Sequence, residues 1–408
     1  MPEAVIVATA RSPIGRAFKG SLQDVRPDDL AASIIQAALD KVPSLDPREI
    51  DDLMLGCGLP GGEQGMNMGR VVAVSLGMDF LPGTTITRYC SSSLQTTRMA
   101  LHAIKAGEGE AFISAGVETV SRFLVGNSDM INGQKLTNPS YDEAQARTAK
   151  VAENGAGGWV DPREDGQLPD VYIAMGQTAE NLALLRGVSR EQMDSFAARS
   201  QQLAEKSIAD GFFAREITPV TTPDGTVVRV DDGPRAGTTV ETLAGLKPVF
   251  RPDGRITAGN ACPLNDGAAA IIVMSDTKAR SLGLTPLARI VSTAVTGLSP
   301  EIMGLGPVQA TRLALQRAGK TVEDIDLFEI NEAFAAQVIP SYEELGIPLD
   351  KLNVHGGAIA LGHPFGSTGA RITTTLLNGL QSTDTTWGLE TMCVGGGMGM
   401  AMVLERLS

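Results

Sequence analysis

The sequence predicts an α/β protein with two similar halves, and three observations predict it. Strand-like runs rich in Val, Ile and small residues alternate with helical patterns, as is typical of α/β architectures. The same local pattern occurs twice, near residues 30–57 and 310–331. The length of 408 residues corresponds to two or three domains at about 150 residues each.

The repeat pairs a helix with a strand in each half. A helix-like segment at 30–39 precedes a strand-like one at 48–57, and 310–319 precedes 322–331 in the same way. The spacing then continues, because Cys57 lies 33 residues before Cys90 and Asn331 lies 32 before His363. Cys90 and His363 each open a predicted helix. Two such halves would bring both helix starts to a shared interface, where a site would form.

The region between the halves, from about 122 to 255, has a different character. Residues 132–170 are polar and rich in glycine, which predicts a long surface loop or lid. Ser189 and Gln192 predict a capping box before a long helix that ends at Gly211. We interpret this region as an insertion on the repeated core, and the alternative is an independent third domain. The predicted division is 1–121 for the N-terminal half, completed by about 265–285, then 122–264 for an inserted loop domain and 286–408 for the C-terminal half.

Composition and charge exclude several classes of protein. Hydrophobic residues make up 43% of the chain and charged residues 20%, so it is neither disordered nor fibrous. With 34 Lys and Arg against 47 Asp and Glu, the formal net charge is −13. That charge gives no general attraction to nucleic acid or anionic lipid. We predict no nucleic-acid partner, and an anionic ligand must be held by local groups.

The apolar runs and the cysteines predict the cellular location of the protein. No run approaches the roughly 20 residues that span a bilayer, so we expect no membrane insertion. Residues 4–8 are too short for the core of a signal peptide and predict a first strand. Residues 405–408 do not form a peroxisomal signal of the S-K-L type. Four cysteines without an export signal predict free thiols in a reducing compartment, and we expect a cytoplasmic protein.

Cys90 is a candidate nucleophile. It lies between a strand-like stretch at 84–89 and a helix that begins with three serines. Free backbone N–H groups and the helix dipole would stabilise a thiolate there and lower the pKa of the thiol. The alternative is a buried, inert cysteine.

Histidines are scarce, which narrows the choice of a catalytic base. The chain contains His102, His355 and His363, and few other side chains titrate near neutral pH. His363 lies in a glycine-rich run at 353–369, where glycines permit tight turns and close approach of a ligand, so a catalytic role is favoured over a structural one. His102 is predicted to be a packed or surface residue, and the role of His355 is left open.

Cys393 stands beside a second glycine run. Free backbone N–H groups at 395–397 could hold a developing oxyanion, and Cys393 could act as a base. A dinucleotide-binding loop is disfavoured, because such a loop opens a helix whereas this one leads into an apolar strand at 400–404. No metal site is predicted, since the histidines lack ligand spacing and no cysteines form a C-x-x-C pair.

Together these motifs resemble the thiolase family of CoA-dependent acyltransferases. The resemblance rests on Cys90, on N-E-A-F-A at 331–335, on G-H-P at 362–364 and on C-V-G-G-G-M-G at 393–399. Segments at 11–15, 116–119, 175–181 and 257–268 extend it over essentially the whole chain. It implies the family fold, which is a five-layered α-β-α-β-α arrangement of a duplicated unit with an inserted loop domain.

The resemblance also implies residue roles. Cys90 would carry the acyl group, His363 would help to activate its thiol, and Cys393 would act as acid and base. One oxyanion pocket would use His363 with a water held by Asn331, and the other the backbone N–H groups of Cys90 and Gly395. For binding of CoA the implied residues are Met175, Arg235, Phe250, Ala258, Cys262, Ala333 and Phe334.

The implied reaction is reversible acyl transfer between CoA thioesters, by thiolysis of a 3-ketoacyl-CoA or the reverse Claisen condensation. CoA thioesters are the substrates, and no further cofactor is needed. The main alternative is a short-chain acetyl-CoA acetyltransferase that forms acetoacetyl-CoA. A decarboxylating β-ketoacyl synthase is disfavoured, because it needs a histidine where this chain has Cys393, and a non-catalytic CoA- or lipid-binding relative is disfavoured because every catalytic position is filled.

The resemblance also bears on the partners of the protein. It implies a homodimer or homotetramer and association with other β-oxidation enzymes.

The sequence differs from the usual pattern of the family at four short places. These differences bear on specificity and remove no catalytic group. They are serines 91–93 in place of Gly-Ser-Gly, Ala174 in place of His or Pro, Cys262 and Pro263 in place of Ser-Gly, and His355 in place of Asn.

Overall fold

The computed structural model describes residues 2–123, 137–155 and 158–408. Its strands are β1 (Ala4–Arg11), β2 (Gly15–Arg16), β3 (Asp52–Gly56), β4 (Gly83–Ile86), β5 (Ala111–Thr119), β6 (Val220–Thr221), β7 (Val227–Val228), β8 (Asn265–Ser275), β9 (Ala288–Gly297), β10 (Leu327–Ile330), β11 (Trp387–Val394) and β12 (Met398–Arg406). Its α-helices are α1 (Pro27–Leu39), α2 (Met68–Ser75), α3 (Ser92–Ala106), α4 (Asp142–Asn154), α5 (Met175–Leu185), α6 (Arg190–Ala209), α7 (Val240–Ala244), α8 (Asp276–Ser281), α9 (Gly306–Ala318), α10 (Ala335–Leu345), α11 (Ala358–Leu361) and α12 (Thr368–Thr383). Among these helices, none is long and apolar enough to cross a membrane.

The two halves have the same strand order, in agreement with the repeat in the sequence. In the first half β3 and β5 are parallel, β8 is antiparallel to β5, and β1 is antiparallel to β8. In the second half β10 and β11 are parallel, β12 is antiparallel to β11, and β9 is antiparallel to β12. The two sheets join where β1 pairs with β9 through Val5 and Ile6. The strand β4 extends the first half at its free edge.

The helices α3 and α12 form the central layer between the two sheets. Leu94 and Ile104 of α3 pack with Ile372 and Leu376 of α12 in one buried cluster that includes strand residues from both halves. The outer face of the first sheet is covered by α1 and α2, and that of the second by α9 and α10. Each apolar helix face thus finds a sheet to pack against, and the order of layers is helix, sheet, helix, sheet, helix, as the resemblance implied.

The two central helices cross at a glycine. A Cβ on Gly369 would lie 2.4 Å from the backbone nitrogen of Leu94, so only glycine allows the observed approach. The backbone N–H of Ala370 also donates a hydrogen bond to Ser93 Oγ at 2.9 Å. This contact draws the N-terminal ends of α3 and α12 together, and with them the segments that carry Cys90 and His363.

The region between β5 and β8 lies outside the repeated core. The helices α5, α6 and α7 and the short β6–β7 hairpin belong to it. The capping box of Ser189 and Gln192 is present at the start of α6, so this predicted helix start is confirmed. The division of the chain into domains stays a prediction.

Residues 132–170 are not the continuous loop that their composition predicted. Asp142–Asn154 form α4, in which Ala144 is the buried residue. Its four alanines and its long polar side chains favour a helix although no apolar face marks it, so a search for hydrophobic periodicity misses it. Residues 132–136 and 156–157 of the predicted loop lie outside the described residues.

Replacing Gly369 with alanine is expected to destabilise the folded protein. The added methyl group would overlap with the backbone of Leu94, and overpacking of this kind costs about 1–3 kcal/mol. Urea unfolding followed by circular dichroism should show a lower midpoint.

Gly379→Ala, on the same helix, is the matched control. Its Cβ would come no nearer than 3.2 Å to a neighbour, Leu327, and alanine adds up to about 1 kcal/mol of helix propensity. Equal midpoints for the two variants would show that the central helices do not cross at Gly369 as closely as described.

Candidate active site

Cys90 lies in the tight turn between β4 and α3. Tyr89–Ser91 form one 3-10 turn, and Tyr89 has a φ of 43°, a conformation rare for residues other than glycine. Ser92 Oγ holds this turn, because it accepts a hydrogen bond from the backbone N–H of Arg88 at 2.9 Å and lies 2.7 Å from the carbonyl oxygen of Tyr89. The turn places the thiol of Cys90 at the wall of a cavity of about 310 Å³, which we call the Cys90 cavity.

Besides Tyr89 and Cys90, four further segments line the Cys90 cavity, mainly with apolar side chains. Leu59 follows β3, Ile173 and Met175 come from the segment that leads into α5, and Phe365 follows His363. Gly395 and its neighbour complete the lining from the glycine turn between β11 and β12. An apolar cavity with a few polar groups at one end is the usual form of a small-molecule site.

The glycine turn directs a backbone donor at Cys90. The N–H of Gly395 lies close enough to the sulfur of Cys90 to favour its thiolate. Gly396 and Gly397 have φ values of 78° and 85°, a left-handed conformation that favours glycine, and they return the chain into β12. A donor aimed at the sulfur favours its thiolate form, while the oxyanion pocket that the resemblance implied here stays a prediction.

Cys90, Cys262 and Cys393 are close enough to influence one another. Burial raises the pKa of Cys393, and negative charge on Cys90 and Cys262 raises it further. Burial followed by charge on Cys90 likewise raises the pKa of Cys262. The structure therefore brings the two predicted catalytic thiols together, with Cys262 beside them.

The pKa of Cys90 is shifted in the direction opposite to the sequence prediction. Burial raises it to about 11, although hydrogen bonds from the N–H groups of Gly395 and Cys90 favour the thiolate. The prediction of a lowered pKa was wrong, because it considered the helix start and not the loss of water around a buried sulfur. The free protein therefore carries a neutral thiol at this position.

His363 is held on three sides by hydrogen bonds. Its backbone N–H donates to Asn265 Oδ1 at 2.9 Å, its Nδ1 lies 2.7 Å from Thr368 Oγ1, and its Nε2 lies 3.2 Å from Asn331 Nδ2. Thr368 Oγ1 donates to the carbonyl oxygen of Pro364 at 2.9 Å and so accepts from Nδ1–H. This pattern assigns the proton to Nδ1 and leaves Nε2 as the acceptor.

The imidazole of His363 is neutral at physiological pH. Burial, assisted by the charge of Arg371, lowers its pKa to about 3. Burial also raises the pKa of Cys90, so it opposes charge on both groups. The free protein therefore holds a neutral thiol and a neutral imidazole in this site.

Phe365 connects the His363 loop with the Cys90 cavity. Its ring lies 5.1 Å from the ring of His363 in an edge-to-face contact, and it lines the cavity beside Cys90. The turn Phe365–Ser367 also packs against the turn that holds Cys90. No hydrogen bond joins the imidazole to the sulfur in the part of the chain that the structure describes.

Asn331 lies beside His363, as predicted, at the carboxyl end of β10. Its Oδ1 is buried and has no hydrogen-bond partner among the described residues. A buried amide oxygen of this kind calls for a donor. The water that the resemblance implied beside Asn331 stays a prediction.

One group of the predicted CoA-binding residues surrounds the start of α5. The rings of Phe250 and Phe334 make an edge-to-face contact at 6.4 Å. Phe250 packs against Gly176, where a Cβ would come within 2.3 Å of the ring, and Met175 lines the Cys90 cavity. These side chains form an apolar path next to the thiols.

The other predicted CoA-binding residues lie further along the same region. The backbone N–H of Cys262 donates to the carbonyl oxygen of Ala333 at 3.0 Å. Arg235 and Ala258 line a separate small pocket, together with Arg16. Arg16 is absent from our sequence predictions, although it follows directly the motif at 11–15. Burial and the neighbouring charge of Arg16 lower the pKa of Arg235, so an anion would be favoured between them.

Glu118 is a site residue that the sequence analysis missed. Its buried carboxylate accepts hydrogen bonds from the backbone N–H groups of Gly58, Leu59 and Gly366 at 2.7, 3.2 and 2.8 Å and from Gln64 Nε2 at 2.9 Å. Burial raises the pKa of Glu118. The sequence feature that could have identified Glu118 is its position as an acidic residue near the end of the apolar strand β5. A solvent-exposed carboxylate would not be expected there.

The remaining histidines lie apart from the site. His102 is exposed on α3, which agrees with its prediction as a packed or surface residue. The ring of His355 stacks on Phe212 at 3.6 Å and its Nδ1 lies 3.1 Å from Ser207 Oγ. The open role of His355 is therefore that of a packed side chain.

Comparisons with known proteins agree with this geometry. Two family models match the chain, namely the N-terminal domain of thiolase over residues 4–277 and the C-terminal domain of thiolase over residues 284–406. A 3-ketoacyl-CoA thiolase of Bacillus subtilis is 42% identical over 99% of this chain and 100% of its own. A beta-ketoadipyl-CoA thiolase of Escherichia coli is 44% identical and covers 100% of both chains. The crystal structure of the Bacillus anthracis acetyl-CoA acetyltransferase superposes with a TM-score of 0.86 at 39% identity, over 100% of this chain and 99% of that one.

Alkylation of Cys90 by iodoacetamide is expected to accelerate steadily with pH. Because its pKa is raised to about 11, the reactive thiolate fraction should grow about tenfold per pH unit below that value. The rate measured between about pH 6 and pH 9 should rise without a plateau.

Peptide mass spectrometry assigns the modified cysteine, and Cys90→Ser serves as the blank. The pKa of His363, lowered to about 3, adds no inflection in this range. A plateau near neutral pH would show that a cation or a mobile water stabilises the thiolate more than burial opposes it.

Proposed function

Because the chain belongs to the thiolase family and is an acyltransferase of CoA thioesters, we propose that it cleaves 3-ketoacyl-CoA with CoA through an acyl group carried on Cys90. The observation that carries the proposal is the surroundings of the buried sulfur of Cys90. The backbone N–H of Gly395 favours its thiolate, and Cys393 lies beside it. A nucleophile, a backbone donor and a second proton carrier are thereby combined in one dry site.

The first half-reaction forms the acyl-enzyme. The sulfur of Cys90 attacks the 3-keto carbon while its proton passes to Nε2 of His363. The bond between C2 and C3 then breaks, and the departing enolate of acetyl-CoA takes a proton from Cys393. Cys393 suits this step, because its raised pKa keeps it protonated until a stronger base forms.

The second half-reaction returns the enzyme to its starting state. The thiolate of Cys393 takes the proton of an incoming CoA, whose sulfur attacks the acyl carbon on Cys90. The carbonyl oxygen gains negative charge, which the N–H groups of Gly395 and Cys90 stabilise. When the acyl-CoA leaves, His363 returns its proton to the sulfur of Cys90, so all protons balance.

The proposed substrates have acyl chains longer than acetyl, and the proposed direction is thiolysis. The apolar lining of the Cys90 cavity, about 310 Å³ in volume, supports this choice over the acetoacetyl-CoA-forming alternative. CoA would follow the apolar path of Phe250 and Phe334 towards Arg235. No cofactor beyond CoA enters these steps, since side chains carry every proton.

The proposed setting is the cytoplasm, in association with other β-oxidation enzymes. The four free cysteines support a reducing compartment. The chemistry also requires Cys90 and Cys393 as thiols, which oxidising surroundings would not preserve.

We propose a homodimer or homotetramer assembled through the edge of the first sheet. Within the described residues β4 pairs with β3 on one side and leaves its other side open. Beside it α2 exposes Val71 and Val74, which are 38% and 46% exposed, and Met66 precedes it with 84% exposed. An open edge with apolar neighbours favours pairing with a second copy.

Cys393→Ser is expected to trap the acyl-enzyme. Incubation of this variant with acetyl-CoA should add the mass of one acetyl group at Cys90. Acylation by acetyl-CoA releases CoA and forms no carbanion, so no carbon has to be protonated by Cys393. Thiolysis of 3-ketohexanoyl-CoA should fall about 10²–10⁴-fold, because the enolate loses its proton donor. Intact-protein mass spectrometry and absorbance of the 3-ketoacyl-CoA measure the two effects.

Two further variants complete this test. Cys90→Ser should lose both the acetyl adduct and thiolysis. Cys57→Ser, at a buried cysteine outside the lining of the cavity, should retain both, because the serine hydroxyl can replace the thiol as a donor to Glu118. Near-normal thiolysis by Cys393→Ser would refute its role as acid and base. Faster wild-type turnover of acetoacetyl-CoA than of 3-ketohexanoyl-CoA would favour the short-chain alternative.

Light scattering is expected to give two or four times the mass of one chain. A variant with Val71→Asp and Val74→Asp should have a measured mass closer to that of one chain, because like charges of two copies would face each other beside the edge of the first sheet. A wild-type mass of a single chain at micromolar concentration would contradict the proposed assembly.

A further inference from the structure

A second cavity lies behind the Cys90 cavity and carries positive charge. It has a volume of about 480 Å³, and its lining includes Arg147, Lys150 and Arg251 with Glu301 as the carboxylate among them. Ile173 lines both this cavity and the Cys90 cavity. We call it the cationic cavity.

Arg251 is a buried cation with an unused donor. It is 5% exposed, and its Nε and Nη2 donate to Gln177 Oε1 at 2.7 Å and to Asn181 Oδ1 at 2.6 Å. Its Nη1 is buried and has no partner among the described residues. Burial lowers the pKa of Arg251 more than the charges of Glu180 and Asp253 raise it. A buried charge without an ion-pair partner is costly, so an anion at this position would be stabilised.

Glu301 neutralises the cationic cavity only in part. It accepts hydrogen bonds from Trp159 Nε1 at 2.7 Å and from the backbone N–H of Asp170 at 2.8 Å, and it lies 3.6 Å from Arg147. Its two oxygens are therefore already engaged. The lining of the cationic cavity thus contains three cationic side chains and one carboxylate, Glu301, although the whole chain carries a net charge of −13. Such a local excess of positive charge in an acidic protein points to an anionic ligand.

The position of Ile173 relates this charge to the substrate. Its side chain is buried, 4% exposed, and it separates the two cavities by the thickness of one residue. An acyl chain bound at Cys90 would extend along the apolar lining of the Cys90 cavity, to which Ile173 belongs. A carboxylate at the end of a short chain would then lie near the wall formed by Ile173, and the cationic side chains on the other side of this wall would attract it.

We propose that the preferred substrates are 3-ketoacyl-CoA esters whose acyl chain ends in a carboxylate, and that the cationic cavity behind Ile173 recognises it. The proposal rests on the proposed thiolysis at Cys90 and adds the substrate class. In a six-carbon substrate the carboxylate carbon is the third carbon beyond the attacked carbonyl. A methyl group in that place would bury the same chain without gaining from the charges.

The test compares 3-ketoadipyl-CoA with 3-ketohexanoyl-CoA, which have equal length and differ in the terminal group. The wild-type enzyme should show a kcat/KM at least about tenfold higher for the carboxylated ester, as expected for a hydrogen bond to a charged group. Arg251→Gln, and separately a variant with Arg147→Gln and Lys150→Gln, should lower that kcat/KM about tenfold and leave thiolysis of 3-ketohexanoyl-CoA within about twofold.

Controls separate folding from recognition. Arg186→Gln changes an exposed arginine paired with Glu344 and should alter neither ester. Arg251→Lys retains the charge and should recover part of the preference, while Arg147→Gln with Lys150→Gln avoids the buried position if Arg251→Gln does not fold.

The outcomes are distinct. Equal wild-type turnover of both esters overturns the substrate proposal and leaves thiolysis standing. A preference that persists in both cavity variants overturns the role of the cationic cavity. Failure to cleave either ester refutes the proposed function itself.

Discussion

The carboxylate of Glu118 is the interaction on which the geometry of the site depends. It lies near the end of β5 and binds the N–H groups of Gly58, in the loop after β3, and of Gly366, in the loop after His363. Because a buried carboxylate without donors would be strongly destabilising, these loops cannot separate while the protein is folded. The buried side chain of Glu118 thus holds segments of both halves against the turn of Cys90. Beneath these segments, the crossing at Gly369 sets the distance between α3 and α12.

Burial governs the chemistry of the site more than helix ends do. It raises the pKa of Cys90 to about 11 and lowers that of His363 to about 3, so both groups are uncharged before substrate binds. Charge then develops only during attack, in a place where donors such as Gly395 N–H are already fixed. Stabilisation that is ready before the reaction begins lowers the barrier without reorganisation of solvent. As a consequence of burial, the thiol of Cys90 stays inactive as a nucleophile until substrate and base act together.

The sequence allowed the duplicated architecture and the identity of the reacting side chains to be predicted, because both leave local marks. Repeated helix–strand pairs, the capping box at Ser189 and the glycine run after Cys393 are patterns of neighbouring residues. The pKa of Cys90, the partners of Glu118 and the charge around Arg251 depend on contacts between distant segments, so no local pattern contains them. The helix α4 was missed for another reason, since it has one buried residue and therefore almost no hydrophobic periodicity.

The two ends of the segment between β5 and β8 are direct neighbours, since Thr119 at the end of β5 pairs with Asp266 near the start of β8. Whatever length of chain departs and returns there, the strands beneath keep their register and the reacting groups keep their support. The chain between Thr119 and Asp266 can therefore be exchanged as one unit without moving the strands on either side of it. Protein engineers can graft a different segment at the same two residues.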